Sequence, residues 1–356
     1  SGRTCTTAGA GLRPGHSEDG DAVDFRGHPR SRQRPDHPRP PAPLVVADDA
    51  ALSDTPGQTP TGPDVVVRGR RQLVMRRLRR NKAAMSALVV LVLLFVGAFV
   101  MPPVYEAVTG WTYKGQDFTS FLQPPSADHW FGTTQIGGDV FAQTMRGLQK
   151  SLLIGLLVAI ISTGLAAIVG AFAGYLGGWT DRVLMWVVDL LLVIPSFLIV
   201  AIISRGMESG GWIALVFLIA VFGWMITARI VRGMTLSLRE REFVLAARFS
   251  GVSTPGIIFR HLIPNMSSLL IIDATISVAA AIIAESGLSY FGFGVKPPDV
   301  SLGTLIANGT QSAFTFPWLF LFSGGLLVLT TLAVSVLGDG LRDALDPSST
   351  RAGGSK

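Results

Sequence analysis

The chain has 356 residues, of which 49% are hydrophobic and only 15% charged, and its mean hydropathy is +0.46. That balance excludes an ordinary soluble enzyme and places the chain in a membrane. The formal net charge is +6, but about half of the 30 Lys and Arg residues fall in the first 82 positions, and eight of them crowd Arg68 to Lys82 directly before an apolar run. Such a cluster reads as a topology anchor with lipid-headgroup contact, and nucleic acid is not expected as a partner.

Residues 1–67 are rich in Pro, Gly, Arg, Asp and Ser and lack periodic apolar positions, so a disordered tail is expected there. The single cysteine, Cys5, lies in this tail and excludes an intramolecular disulfide. Residues 68–104 read as the basic anchor and a first span, with the apolar run from Ala83 to Met101. An extracytoplasmic loop is expected over 105–150, then a five-helix core over 151–343 and a C-terminal tail over 344–356.

The core begins with Ser151 to Thr180, whose Gly170 and Gly174 form a GxxxG step that lets another helix approach closely in lipid. The next run, Val183 to Ser204, holds Asp189 and should bend at Pro195, whose ring removes a backbone hydrogen bond. Gly210 to Ala228, Met266 to Ala284 with Asp273, and Phe316 to Leu337 complete six spans. The aromatic group Tyr290, Phe291 and Phe293 fits an outer interfacial belt. With the basic cluster inside, an even number of spans puts both termini in the cytoplasm, and the Arg-rich loop over 233–265 falls on the same side.

Within that loop, EFVLAARFSGVSTPGIIFRHLIPN at 242–265 reads as two short helices. Gly251 suits a left-handed stop, Ser253 or Thr254 can cap the second helix with Pro255 in its first turn, and Pro264 ends it. Phe243, Ala246, Ala247 and Ser250 share one face of the first helix, a narrow surface on which a partner could dock, while Ile257, Ile258 and Leu262 pack back on the spans. An ordinary amphipathic helix covering the bundle would show a similar pattern.

Chemistry of its own is not expected of this chain. There is no GxxxxGK[ST] loop to cradle phosphates and no HExxH, and none of the five His residues falls in a span. Asp189, Asp273 and Glu285 lie within or at the ends of spans and are candidates for a translocation path, with inter-helix hydrogen bonding the plainer role for Asp273. An ion- or proton-coupled carrier or channel would use these acids directly, and it stands as the alternative to a partner-driven transporter.

The loop resembles the coupling loop of type I ABC importer permeases, with Ala246, Ala247, Gly251 and Pro264 in matching places. Leu245, His261 and Ile263 depart from the pattern, and Glu242 stands one turn before the place of its usual glutamate. HWFGTTQIGGDVF at 129–141, GYLGGWTD at 174–181, VVDLLLVIPSFLI at 187–199, AESGLSYFGFGVKPP at 284–298 and LGDGLRDALDP at 337–347 are similar to segments of the C-type permease of dipeptide and oligopeptide importers. Thr134 and Gly138 stand where Asp and Arg are usual in the first of these. The resemblance implies an all-α, multi-pass protein of the bacterial inner membrane that forms half of a peptide path. It also implies pairing with a related B-type permease, two cytoplasmic ATPases that bind ATP and Mg, and an extracytoplasmic solute-binding protein. Glu242, Phe243, Ala246, Ala247, Gly251, His261 and Pro264 would then be the ATPase-coupling residues. No metal, cofactor or catalytic residue is implied in this chain.

Overall fold

The computed structural model describes residues 70–206 and 211–345, which are helical apart from loops and two isolated β-bridges. The tail over 1–67 with Cys5, and residues 346–356 of the C-terminal tail, lie outside the described residues.

The basic anchor is a helix, α1 (Arg70–Arg80), which packs Val74 and Leu78 against Leu341 and Ala344 near the end of the chain. The first span, α2 (Lys82–Thr109), is capped by Asn81, whose Oδ1 accepts from the Ala84 N–H at 3.1 Å. It runs past the expected end at Met101, through Pro102 and Pro103, and stops at Gly110 with φ 80°. The prolines forfeit backbone bonds, but Tyr105 after them is 1% exposed and packs its ring on Trp130 and Phe141, which holds the last turns in place.

The longest helix, α3 (Val140–Leu176), has 37 residues and is therefore about 55 Å long, well beyond the roughly 30 Å of a hydrocarbon core. The expected outer loop over 105–150 is thus too generous at both ends. Arg146 and Lys150 looked like loop residues, yet they are helical and paired with Asp299 at 3.5 and 3.1 Å. The signal for the true start was Asp139, whose Oδ1 caps α3 by accepting from the Ala142 N–H at 2.8 Å.

The third run breaks as Pro195 requires: α4 (Gly178–Val193) and α5 (Ser196–Arg205) meet at 78°, with Ile194 extended before the proline. The fourth also breaks, between α6 (Gly211–Gly223) and α7 (Met225–Leu238), at 46°. That break was not expected. Gly223 sits against Ser162 of α3, and a glycine at a close crossing is an ordinary place for a kink. Four unbroken helices are long and apolar enough to cross a membrane, and counting each bent pair as one crossing gives six.

After α8 (Glu242–Phe249) and α9 (Thr254–Ile257) come a π-helical turn at Ile258–Leu262, the short α10 (Ile263–Asn265) and the span α11 (Ser267–Tyr290). Pro264 therefore does not end a helix, because it occupies the first turn of α10, where its missing N–H is not needed. A short α12 (Leu302–Thr310), closed by a Ser301–Thr304 capping box, precedes the last span, α13 (Trp318–Leu345), which continues beyond the expected Leu337. Ala344 and Leu345, assigned to the tail, belong to that helix.

At the centre is α3, which packs against α2, α6, α7, α11 and α12. The expected glycine step forms its contact with α7: a Cβ on Gly170 would fall 2.5 Å from the Ala228 carbonyl oxygen, and one on Gly174 would fall 2.7 Å from Thr235 Cβ. Tyr290 and Phe291 are exposed, as a belt requires, whereas Phe293 packs against the buried cluster around Ile154 and Val216.

Candidate functional site

The two ends of α3 carry different structures. Beside its C-terminal end sits the helical segment that the sequence singled out. Val244 and Ala247 of α8 join Ala171, Val231, Ile257, Ile258, Leu262 and Met266 in one buried cluster. This seats α8 on α3, α7 and the π-helical turn. The inward packing of Ile257, Ile258 and Leu262 is as expected.

The face assignment on α8 needs one correction. Ala247 was placed on the docking surface with Phe243 and Ala246, but it is 8% exposed and faces the bundle. Helical spacing groups residues onto faces without saying which face turns inward, and Val244, three residues before Ala247, takes the same side. Glu242, Phe243, Leu245, Ala246, Phe249 and Ser250 are exposed. The residue missed is Phe249, 88% exposed at the end of the helix. An aromatic residue two positions before the Gly251 stop was the available signal.

Gly251 has φ 75°, the left-handed conformation expected of it. Around it the Val252 N–H donates to the Ala247 carbonyl and the Gly251 N–H to the Arg248 carbonyl, both at 3.1 Å. These are the two crossed bonds of a Schellman stop. His261 lies half-buried in the π-helical turn, and Pro264 is exposed.

The arginines read as topology signals also make specific contacts. Arg232 donates to both carboxylate oxygens of Asp181, its Nη2 at 2.6 Å, and Arg229 donates to Asp189, so α7 is clamped to α4. Arg239 Nη1 donates to the Gly174 carbonyl at 3.2 Å. Asp189 is thus paired with a cation, at 59% side-chain exposure.

The structure does not bring the three candidate acids together, since each has its own partners. Asp273 accepts from the Thr163 hydroxyl at 2.9 Å and the Thr227 hydroxyl at 2.7 Å, tying α11 to α3 and α7. Glu285 is fully buried; it accepts from Ser289 Oγ at 2.5 Å and lies 3.5 Å from Ser151 Oγ. Ser151 Oγ in turn accepts from the Leu302 N–H at 3.2 Å, and Ser289 Oγ lies 3.3 Å from Ser301 Oγ. Glu285 therefore anchors the α11–α12 connection onto α3.

At the N-terminal end of α3, Asp139 is completely buried and serves three donors. Besides capping α3, its Oδ2 accepts from the Tyr105 hydroxyl and meets His129 Nδ1, both at 2.8 Å. His129 Nε2 faces Asp117 at 3.6 Å. The Thr119 hydroxyl and N–H, donating to Asp117 at 2.6 and 2.8 Å, hold that carboxyl well below the usual carboxylate range. This network fixes the loop between α2 and α3. Asp139→Ala would strand buried donors and remove a cap, so a loss of about 2–4 kcal/mol is expected. Thermal unfolding in detergent would show it, and Asp139→Asn, which keeps the capping oxygen, should lose less.

A family model described as binding-protein-dependent transport system inner membrane component matches residues 166–351, and one described as the N-terminal TM domain of oligopeptide transport permease C matches residues 69–125. The chain is 59% identical over 281 residues to the oligopeptide transport system permease protein OppC of Mycobacterium bovis, covering 79% of this chain and 95% of that protein. It is 36% identical over 273 residues to the protein of the same description from Bacillus subtilis, covering 77% and 88%. A putative peptide permease protein of Brucella suis is 40% identical over 276 residues, covering 76% and 89%.

Proposed function

The chain belongs to the binding-protein-dependent transport system inner membrane components, as an oligopeptide permease C relative in the bacterial inner membrane, and from that premise we propose that it forms half of the translocation path of an ATP-driven peptide importer. The other half is a related B-type permease. Two cytoplasmic ATPases bind ATP with Mg and hydrolyse it, and an extracytoplasmic solute-binding protein delivers the peptide. Both termini and α8 face the cytoplasm in this reading.

The observation that carries the coupling role is the construction of α8. It is locked to the bundle by Val244 and Ala247 and closed by a Schellman stop, yet it turns Phe243, Leu245 and Phe249 to the outside. A helix rigidly joined to the spans, with Leu245 and Phe249 exposed on its free side, can pass a push from an ATPase to α3, α7 and α11. The alternative of an ion-coupled carrier gains nothing from the three acids. Asp189 is paired with an arginine, Asp273 bridges helices and Glu285 is enclosed by serines.

The experiment is reconstitution in lipid nanodiscs with the B-type permease, the ATPases and the binding protein. Hydrolysis should be absent in the permease alone and should rise when loaded binding protein is added to the complex. Gly251→Leu separates coupling from folding: nothing lies within 4 Å of a Cβ there, but the left-handed backbone costs a side chain about 1–2 kcal/mol and so unwinds the stop. Peptide moved per ATP should fall more than tenfold in an assembled complex. Normal coupling in that variant would sink the assignment.

A further inference from the structure

The end of α3 opposite α8 opens onto a cavity of about 610 Å³, walled by the segments around Gln116 and Gln135, the first turn of α3, and α12. The size is that of a ligand site. Its lining is unusual in one respect: five carboxamides, Gln116, Gln135, Gln143, Asn308 and Gln311, turn up together. Gln135 donates to Ser312 at 3.0 Å, while the other four make no side-chain hydrogen bond within the described residues. Thr144, also in the lining, is 0% exposed and its hydroxyl has no partner. The Thr144 hydroxyl is closed off from the cavity, but Gln143 is half-buried and Gln116, Asn308 and Gln311 are exposed, so these carboxamides are open to a ligand that would replace their water.

The charge pattern narrows what that is. No carboxylate is among the described residues of the lining, and the nearby Asp299 is committed to Lys150 and Arg146. Lys114, exposed, is the one cation among the described residues of the lining. A carboxamide offers a donor and an acceptor side by side, which matches the alternating N–H and C=O of an extended polypeptide. A single cation matches a terminal carboxylate, which a free peptide carries and an internal protein loop does not.

We propose that this cavity is a binding site for a short, extended free peptide of the transported class, held by its main-chain amides on Gln143, Asn308 and Gln311 with its terminal carboxylate toward Lys114. The proposal rests on the transport reading above and adds a stopping place on this subunit, remote from α8.

The test uses the complete importer in nanodiscs with a photoreactive benzophenone side chain placed at Asn308, and isotope-labelled tri- to hexapeptides as the probe. Illumination should yield labelled peptide attached at position 308, suppressed by excess unlabelled peptide. Gln143→Leu with Gln311→Leu should raise the KM for uptake about tenfold at nearly unchanged maximal rate, as loss of one to two net hydrogen bonds predicts. Uptake by the parent complex with no peptide adduct, or with adducts only to the binding protein or the B-type permease, overturns the site and leaves the transport reading standing. A parent complex that takes up none of the peptides overturns both.

Discussion

Gly170→Leu is expected to cost the folded permease about 3 kcal/mol and to reduce sharply the yield of monodisperse protein in detergent, while Gly164→Leu on the same helix does neither. The two glycines differ in surroundings, not in helix position. A Cβ at Gly170 would meet the Ala228 carbonyl oxygen at 2.5 Å, Val231 Cβ at 2.8 Å and the Arg232 nitrogen at 3.0 Å, whereas nothing lies within 4 Å at Gly164. Two of the three atoms at Gly170 are backbone, so no rotamer change can make room and α7 itself must move. That displacement would strain the Thr227 hydrogen bond to Asp273, the Arg232–Asp181 pair and the Arg239 contact with Gly174. Between helices in lipid there is no hydrophobic term to compensate for a lost close contact. The check is a thermal unfolding series of both variants. An unfolding temperature for Gly170→Leu matching that of Gly164→Leu would show that the α3–α7 contact does not hold the bundle together.

That contact was legible in the sequence because a GxxxG step in an apolar run has few other uses. The spans were legible for the same kind of reason, since uncharged runs of membrane length leave little choice, and the Pro195 break followed from proline's missing N–H. What escaped were features settled by contacts between distant segments. Arg146 and Lys150 looked like loop residues until Asp299 was found beside them, some 150 positions along the chain. Asp139 stands within the 129–141 segment, but its place in the network depends on a fold that also delivers Tyr105 and His129. The break beside Gly223 has no proline to announce it, and α12 is too short for its apolar pattern to stand out. On α8 the periodicity was correct, and the choice of inward face waited on where α3 and α7 lie. Ala247 was therefore assigned to the partner and Phe249 overlooked.

On the proposed coupling role of α8, Phe249→Glu should abolish ATP-driven peptide uptake while leaving the permease as stable as the parent. The side chain is 88% exposed and contributes almost nothing to the bundle, so its replacement should stay within about 0.5 kcal/mol in unfolding. In the complex its position changes the expectation. It terminates a helix whose other face is fixed by Val244 and Ala247, and Leu245, four residues earlier on the same side and 38% exposed, adds to the apolar surface around it. An aromatic anchor that fills a partner's cleft is commonly worth 2–4 kcal/mol, or about 30- to 1,000-fold in affinity, and a buried unpaired carboxylate would add to the loss. Phe249→Tyr, which keeps the ring, should retain most uptake. Binding of the ATPases to nanodisc-embedded permease pairs, measured alongside uptake, tells this apart from a role in lipid. A ring resting in the headgroup region would leave ATPase binding unchanged in Phe249→Glu, and α8 would then be a membrane-surface helix and not the coupling element.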